Sequence, residues 1–253
     1  MKWPVFIISL PDAEERRGPL VRMLDQLQIS HELIPAIDGR NSLPREYEQF
    51  IDRDLARARL GRDMTDGEFA CALSHQQVYK RILSDGLPGA IVLEDDALVE
   101  DLFHEFCSEV NDIGCDFLQL DYNWARVWRF GIGRKRLSKR IETRPLLYNC
   151  GLATGYALNS RAAEYIQSNS QPLSLPADWP CDLSPMGPRV TIPRLIGHPP
   201  ADNEASHLYK ARESAKSEAR EARLGSSMEG RNPRPGWYYR FGRFLSYHLP
   251  NQY

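Results

Sequence analysis

Between Gly89 and Asp96 the chain reads GAIVLEDD, an apolar run that stops abruptly in three acids. A short aliphatic run bounded by glycine reads as a buried strand. Three carboxylates cannot stay in an apolar core, because an unpaired buried charge costs too much free energy. They must emerge at the carboxyl end of the strand, where open α/β sheets bind ligands. Extended geometry puts Glu94 and Asp96 on one side and Asp95 on the other. Clustered acids repel one another unless a cation sits among them. Mg²⁺ or Mn²⁺ bridging to diphosphate oxygens is the natural candidate. The alternative is a helix after the strand, with Asp95 or Asp96 capping its first turn.

The neighbouring segments supply the rest of an α/β sheet. Val5 to Leu10 (VFIISL) is apolar throughout and reads as a second buried strand. Ala13 to Leu27 has a helical pattern, with Leu20, Val21, Leu24 and Leu27 on one face, and Gly18-Pro19 able to delay or kink its start. His31 to Ala36 reads as a strand that ends in the turn Ile37-Asp38-Gly39. Strand, helix, strand in so few residues is a βα unit leading into parallel pairing. Leu43 to Leu60 reads as a charged helix. Thr65 and Glu68 form a capping box ahead of the helical run FACALSHQQVYKRIL. Further on, Leu102 to Val110 reads as a helix, FLQL at 117–120 and GLATGYAL at 151–158 as strands, and 160–166 as a helix capped by Asn159 or Ser160. Residues 125–145, rich in arginine and aromatics, read as a loop or short hairpin over the active face. Val190 to Ile192 and Leu195-Ile196 are short apolar pieces split by Pro193.

Bulk properties narrow the function classes. A hydrophobic content of 42% over 253 residues allows a sizeable core, and a net charge of −2 leaves no electrostatic footprint for nucleic acid. Five scattered cysteines with no CxxC pair argue against a disulfide framework or a zinc site and fit a reducing compartment. Cys71 and Cys107 lie in helical segments and read as small core residues. The apolar N-terminal stretch is too short for a signal peptide, and no segment is long enough to span a bilayer. The expectation is a soluble or peripheral protein with two parts, a catalytic domain over 1–205 and an appended segment over 206–253. That segment holds a polar helix at Lys210 to Leu224, then a run from Arg231 to His248 in which arginines interleave with Trp, Tyr and Phe. Such a run either packs on the domain with its aromatics inward or lies on anionic lipid.

The candidate site residues gather at strand ends. Arg16 or Arg17 after the first strand could clamp a phosphate. Asp38 could accept from a ribose or act only as a turn residue. Glu68 has a full structural explanation in the capping box, and a lone helical His75 is more often a core residue than a ligand. Asp178 and Asp182, in the loop LPADWPCDL, could each serve as a general base, and His198 could complete a metal shell.

The blocks FIISLPDAEERR, AIDG, TDGEFACALSHQQVYKRIL, AIVLEDDALV and ATGYALNSRAAEYI, in that order, resemble glycosyltransferase family 25. This is the group of bacterial lipooligosaccharide galactosyltransferases and collagen galactosyltransferases. The likeness covers residues 5 to about 166 and weakens through LPADWPCDL and IPRLIGHP. It implies a GT-A-like, Rossmann-type mixed α/β sheet flanked by helices, a UDP-sugar donor and an inverting transfer. UDP-galactose is the expected donor. The acceptor expected is a lipooligosaccharide, lipopolysaccharide or capsule-type glycan. By the same resemblance Asp96 becomes the direct metal ligand, with Asp95 beside it and His198 where a related branch has a metal-binding histidine. Ser9, Leu10, Arg16, Ala36, Asp38, Glu68, Ser74, His75, Glu94 and Asp95 become nucleotide-sugar contacts, and Asp182 or Asp178 the base. The place expected is cytoplasmic, peripheral on the inner face of the membrane. A catalytically dead nucleotide-sugar binder would not need a costly acid cluster. A nucleotidyl- or phosphotransferase would want a phosphate loop, and the chain has neither GxxxxGK[ST] nor GxGxxG.

Overall fold

Each of the two most apolar runs of the chain feeds two cores at once. The computed structural model describes residues 3–109, 113–147, 151–199 and 246–249. In chain order it contains β1 (Val5–Ser9), α1 (Glu14–Gln26), β2 (His31–Pro35), α2 (Arg53–Leu60), α3 (Asp66–Ser84) and β3 (Gly89–Glu94). Then follow β4 (Leu98–Val99), α4 (Phe103–Glu109), β5 (Phe117–Gln119), β6 (Ala125–Trp128), β7 (Lys135–Arg136) and β8 (Glu142–Pro145). The last are β9 (Gly155–Asn159), α5 (Ser160–Asn169), β10 (Arg189–Ile192), β11 (Ile196–Gly197) and β12 (Ser246–Leu249).

Eight strands form a mixed sheet in the order β2-β1-β3-β9-β5-β10-β8-β7. β1 runs parallel to β2 and β3, as a βα unit requires, and β9 lies antiparallel between β3 and β5. Alternation sends Phe6, Ile8, Ala90, Val92, Phe117 and Leu158 to a core under α3 and α5. It sends Val5, Ile7, Ile91, Leu93, Leu118 and Ala157 to a second core under α1 and α4. Burial on both faces is why these strands are apolar throughout rather than alternating. The α/β sheet flanked by helices therefore matches the expectation from sequence.

Local differences have local causes. α1 runs through Pro19 and buries Leu20 and Leu24. The charged stretch 43–60 is not one helix: a 3-10 turn at Arg45–Phe50 stops where Ile51 bridges Leu173, and Asp52 then caps α2 through the Leu55 amide. Asn159, not Ser160, caps α5 by accepting from the Ala162 amide. Residues 125–145 hold β6 and the β7–β8 hairpin at the sheet edge.

β12 pairs antiparallel with β6, and Leu249 is buried with Ala125 and Val127. Most of the segment 206–253, including the helix expected at 210–224 and the run Arg231 to Leu245, lies outside the described residues. Its described aromatic, Tyr247, sits against the domain: Arg144 donates to its hydroxyl at 2.9 Å.

Candidate active site

β3 ends at Glu94, where the Ala97 amide donates back to the Glu94 carbonyl at 3.1 Å and closes a turn. That turn overrides the alternation expected past Glu94. Asp95 and Asp96 reach the same residue, Arg16 on the first turn of α1. Its Nε lies 2.8 Å from Asp95 Oδ1 and its Nη2 lies 2.6 Å from Asp96 Oδ2. Ser9, at the end of β1, donates to Asp95 Oδ2 at 3.1 Å. Glu94 instead meets α3, with His75 Nε2 at 3.2 Å and the Cys71 sulfur at 3.6 Å. The next element is β4 rather than a helix, so the acids are not caps.

Two carboxylates share one guanidinium with a third acid beside them, and their protonation reflects it. Burial, then repulsion from Glu94, pushes the Asp96 carboxyl up to about 6. Burial raises Asp95 too, against the opposing pull of Arg16 and Ser9. Burial alone would also raise Glu94, but the His75 ring and Arg16 together hold it below the usual carboxylate range. Asp96 Oδ1 is buried with no hydrogen-bond partner among the described residues.

The acidic turn forms one wall of a cleft of about 310 Å³. The other walls are the ends of β1 and β2 and the start of α3, including Leu10, Ala36, Arg40, Gly67, Cys71 and Ser74. Ser74 fastens the floor, accepting from the Ile37 amide at 2.8 Å and donating to the Ala70 carbonyl at 2.7 Å. The loop after β2 comes so near α3 that a Cβ on Gly39 would lie 2.5 Å from the Asp66 carbonyl oxygen. Only glycine fits that approach.

Seven residues singled out in the sequence line this cleft: Ser9, Leu10, Arg16, Ala36, Ser74, Glu94 and Asp95. Asp38 does not. Its carboxylate is gripped by Arg40, whose Nη2 lies 2.7 Å away and which itself lines the cleft. Glu68 closes the capping box with Thr65 and pairs with Arg62 at 2.7 Å, a structural role away from the cleft lining. His75 is buried behind the wall. Asp178 and Asp182 do not line the cleft either. Asp182 is exposed and its carboxylate accepts from the Ser184 amide, which holds it below its ordinary pKa.

The family model for glycosyltransferase family 25 (LPS biosynthesis protein) matches residues 2–180. The chain belongs to glycosyltransferase family 25. A rat relative, "Probable inactive glycosyltransferase 25 family member 3", is 29% identical over 218 residues, covering 81% of this chain and 35% of the relative. The Haemophilus influenzae "Lipooligosaccharide biosynthesis protein lic2B" is 29% identical over 171 residues, 65% of this chain and 62% of that one. The human "Procollagen galactosyltransferase 2" is 30% identical over 136 residues, 53% of this chain and 21% of that protein. The chain thus spans about a third of the first of these relatives and under two thirds of the second. A solved glycosyltransferase "involved in the glycosylation of the major capsid of PBCV-1" aligns over 84% of this chain and 100% of its own, at 10% identity and a TM-score of 0.41.

A family 25 chain with an acidic strand end raises the question of which residues near it could hold a metal ion. His198, just past β11, sets its Nδ1 2.9 Å from Asp121 Oδ2 at the end of β5. The hydrogen bond to Asp121 raises the His198 pKa, and Asp96 is close enough to add to the rise. A carboxylate behind an imidazole is the arrangement that orients metal-binding histidines. Asp121 is fully buried, and its Oδ1 makes no hydrogen bond among the described residues, with the Arg194 guanidinium 3.8 Å away. The Asp96 oxygen that lacks a hydrogen-bond partner among the described residues, together with an oriented imidazole, would suit a hard divalent cation.

Asp121, Arg40 and Cys71 are residues of this region that the sequence reading did not single out as such. Asp121 had a usable signal, an acid at the end of the apolar run FLQL, as at β3. Arg40 had none, since an arginine in a polar turn is commonplace.

Proposed function

We propose that this family 25 protein is a metal-dependent inverting hexosyltransferase. In this reading it moves galactose from UDP-galactose to a hydroxyl of a lipooligosaccharide, lipopolysaccharide or capsule-type glycan. The observation that carries the reading is the acidic turn: three carboxylates at the carboxyl end of a central strand, two of them held by Arg16, beside an open cleft. The name of the Haemophilus relative supports a lipooligosaccharide acceptor, and that of the human relative supports galactose as the transferred sugar.

Each step is assigned to a group of this chain. The nucleotide lies across the ends of β1 and β2, and Arg16 and Arg40 attract its diphosphate. Asp96 and His198 would hold Mg²⁺ or Mn²⁺, with Asp121 orienting the imidazole. A bound cation there would neutralise charge on the leaving diphosphate. The base takes the acceptor hydroxyl proton as the new C1–O bond forms opposite the breaking one. Asp178 suits this role better than Asp182, because the Ser184 amide makes Asp182 a weaker base. The loop carrying both would close on the cleft once the acceptor arrives. The site of action is the cytoplasmic face of the membrane, where the Arg231 to His248 run would meet anionic lipid. Among the described residues no helix is long and apolar enough to cross a bilayer.

Thermal melting against nucleotide sugars, with and without Mn²⁺, tests the reading. UDP-galactose is expected to raise the midpoint only with Mn²⁺, by about 2.7 kcal/mol of added stability at 100 times its Kd. Asp96→Asn should abolish that shift and slow transfer by about 100-fold or more, since a lost metal removes several kcal/mol of charge stabilisation. A shift without transfer to any glycan would favour the second reading, a nucleotide-sugar-binding protein, to which the name of the rat relative gives some weight.

A further inference from the structure

Glu94 belongs to a second cluster. Cys71 and His75 are four residues apart on α3, so their side chains sit one turn apart on one helix face. That face meets the end of β3. The Cys71 sulfur, a His75 ring nitrogen and a Glu94 carboxylate oxygen all lie within 4.8 Å of one another. Glu94 Oε1 is 3.2 Å from His75 Nε2 and 3.6 Å from Cys71 Sγ. Tetrahedral zinc, with bonds of about 2.0–2.1 Å to nitrogen and oxygen and about 2.3 Å to sulfur, spaces its ligands about 3.4 Å and about 3.6 Å apart. The Glu94–His75 and Glu94–Cys71 spacings are already close to those values.

Its surroundings suit a metal as well. The other ring nitrogen of His75 lies 2.6 Å from the Tyr156 hydroxyl, which orients the ring and turns Nε2 toward Glu94. Tyr79 is 2.9 Å from the same hydroxyl, and all three rings are buried. Cys71 and Glu94 line the cleft while His75 stands behind them, so a fourth coordination position would open into the cleft.

We propose that Cys71, His75 and Glu94 form a binding site for zinc or a similar borderline-soft divalent cation, separate from the hard-cation site at Asp96. On binding, the thiol releases its proton to solvent and coordinates as thiolate. Mg²⁺ and Mn²⁺ prefer oxygen ligands and would pass this site over. An ion held here would occupy the cleft wall and compete with a nucleotide. The inference rests on these three side chains alone and holds whichever sugar the protein takes.

The test is a Co²⁺ titration of the whole chain, with Co²⁺ as the spectroscopic stand-in for Zn²⁺. A thiolate-to-cobalt charge-transfer band is expected at one equivalent and should disappear on adding Zn²⁺. Cys71→Ser should remove the band, His75→Gln should weaken binding by more than about 10-fold, and Asp96→Asn should leave the band in place. Absence of the band in the unmodified protein, its persistence in Cys71→Ser, or its loss in Asp96→Asn would overturn the proposal. X-ray absorption of the Zn²⁺-loaded unmodified protein gives a reading that needs no variant. One sulfur with nitrogen and oxygen neighbours supports the site, and a shell with no sulfur or with two refutes it.

Discussion

Arg16 holds two carboxylates that would otherwise repel each other, yet Asp96 still keeps a buried oxygen without a hydrogen-bond partner among the described residues. An arginine alone does not balance this turn. A second buried acid, Asp121, lies beside Arg194 and His198. Asp121→Asn should therefore weaken Mn²⁺ binding by about 10- to 100-fold, read by calorimetry, because it loosens the imidazole that presents the ion. Affinity equal to that of the unmodified protein would remove Asp121 from the site. Tyr156→Phe probes the other end of the acidic turn. It deletes the hydroxyl shared by His75 and Tyr79 and should cost about 1–3 kcal/mol in thermal or urea unfolding, since a buried ring nitrogen loses its partner. At this scale the sequence was partly legible. Three acids after an apolar run announce a strand end, but which way each turns depends on the Ala97 amide. His75 pairs with a tyrosine far along the chain, and no local pattern reports such a partner.

At the scale of elements, α3 is the wall on which the cleft is built. Its start was readable, because Thr65 and Glu68 cap each other at fixed spacing and the observed box has both bonds. The break in the 43–60 stretch was not readable, because it depends on Ile51 meeting Leu173 across the fold. Gly39 shows how closely the loop after β2 is pressed on α3. Gly39→Ala would drive a methyl group into the Asp66 carbonyl and Ala70. The expected cost is about 1–3 kcal/mol in unfolding stability, together with weaker nucleotide binding as the loop lifts. Unchanged melting would mean the loop yields freely, and the cleft would then be softer than its packing implies. β12 adds a further lesson. Four residues from the far end of the chain complete the edge of β6, so cutting the segment off would uncover Ala125 and Val127 as well as remove its arginines.

For the whole molecule, that pairing dictates how lipid binding should be tested. Replacing Arg231, Arg234, Arg240 and Arg243 by glutamine keeps β12 and removes only charge. With about 1 kcal/mol from each basic residue near an anionic surface, sedimentation with phosphatidylglycerol-rich vesicles should weaken by more than about 100-fold. Binding that survives all four changes would place the contact elsewhere. The sheet was legible as α/β because its strands are buried on both faces and so are apolar throughout. Its order was not, because β9 and β10 insert between strands far from them in sequence. That order also constrains how the chain assembles. β1 and β2 close over the single helix α1, whereas β8 can join the sheet only after β10, which is made later, has settled beside β5. Until then β5 offers a bare edge to any other chain, and closing the long intervening loop is entropically slow. Recovery from denaturant should therefore fall as protein concentration rises, with the β1–β2 pair protected from hydrogen exchange before the β7–β8 hairpin.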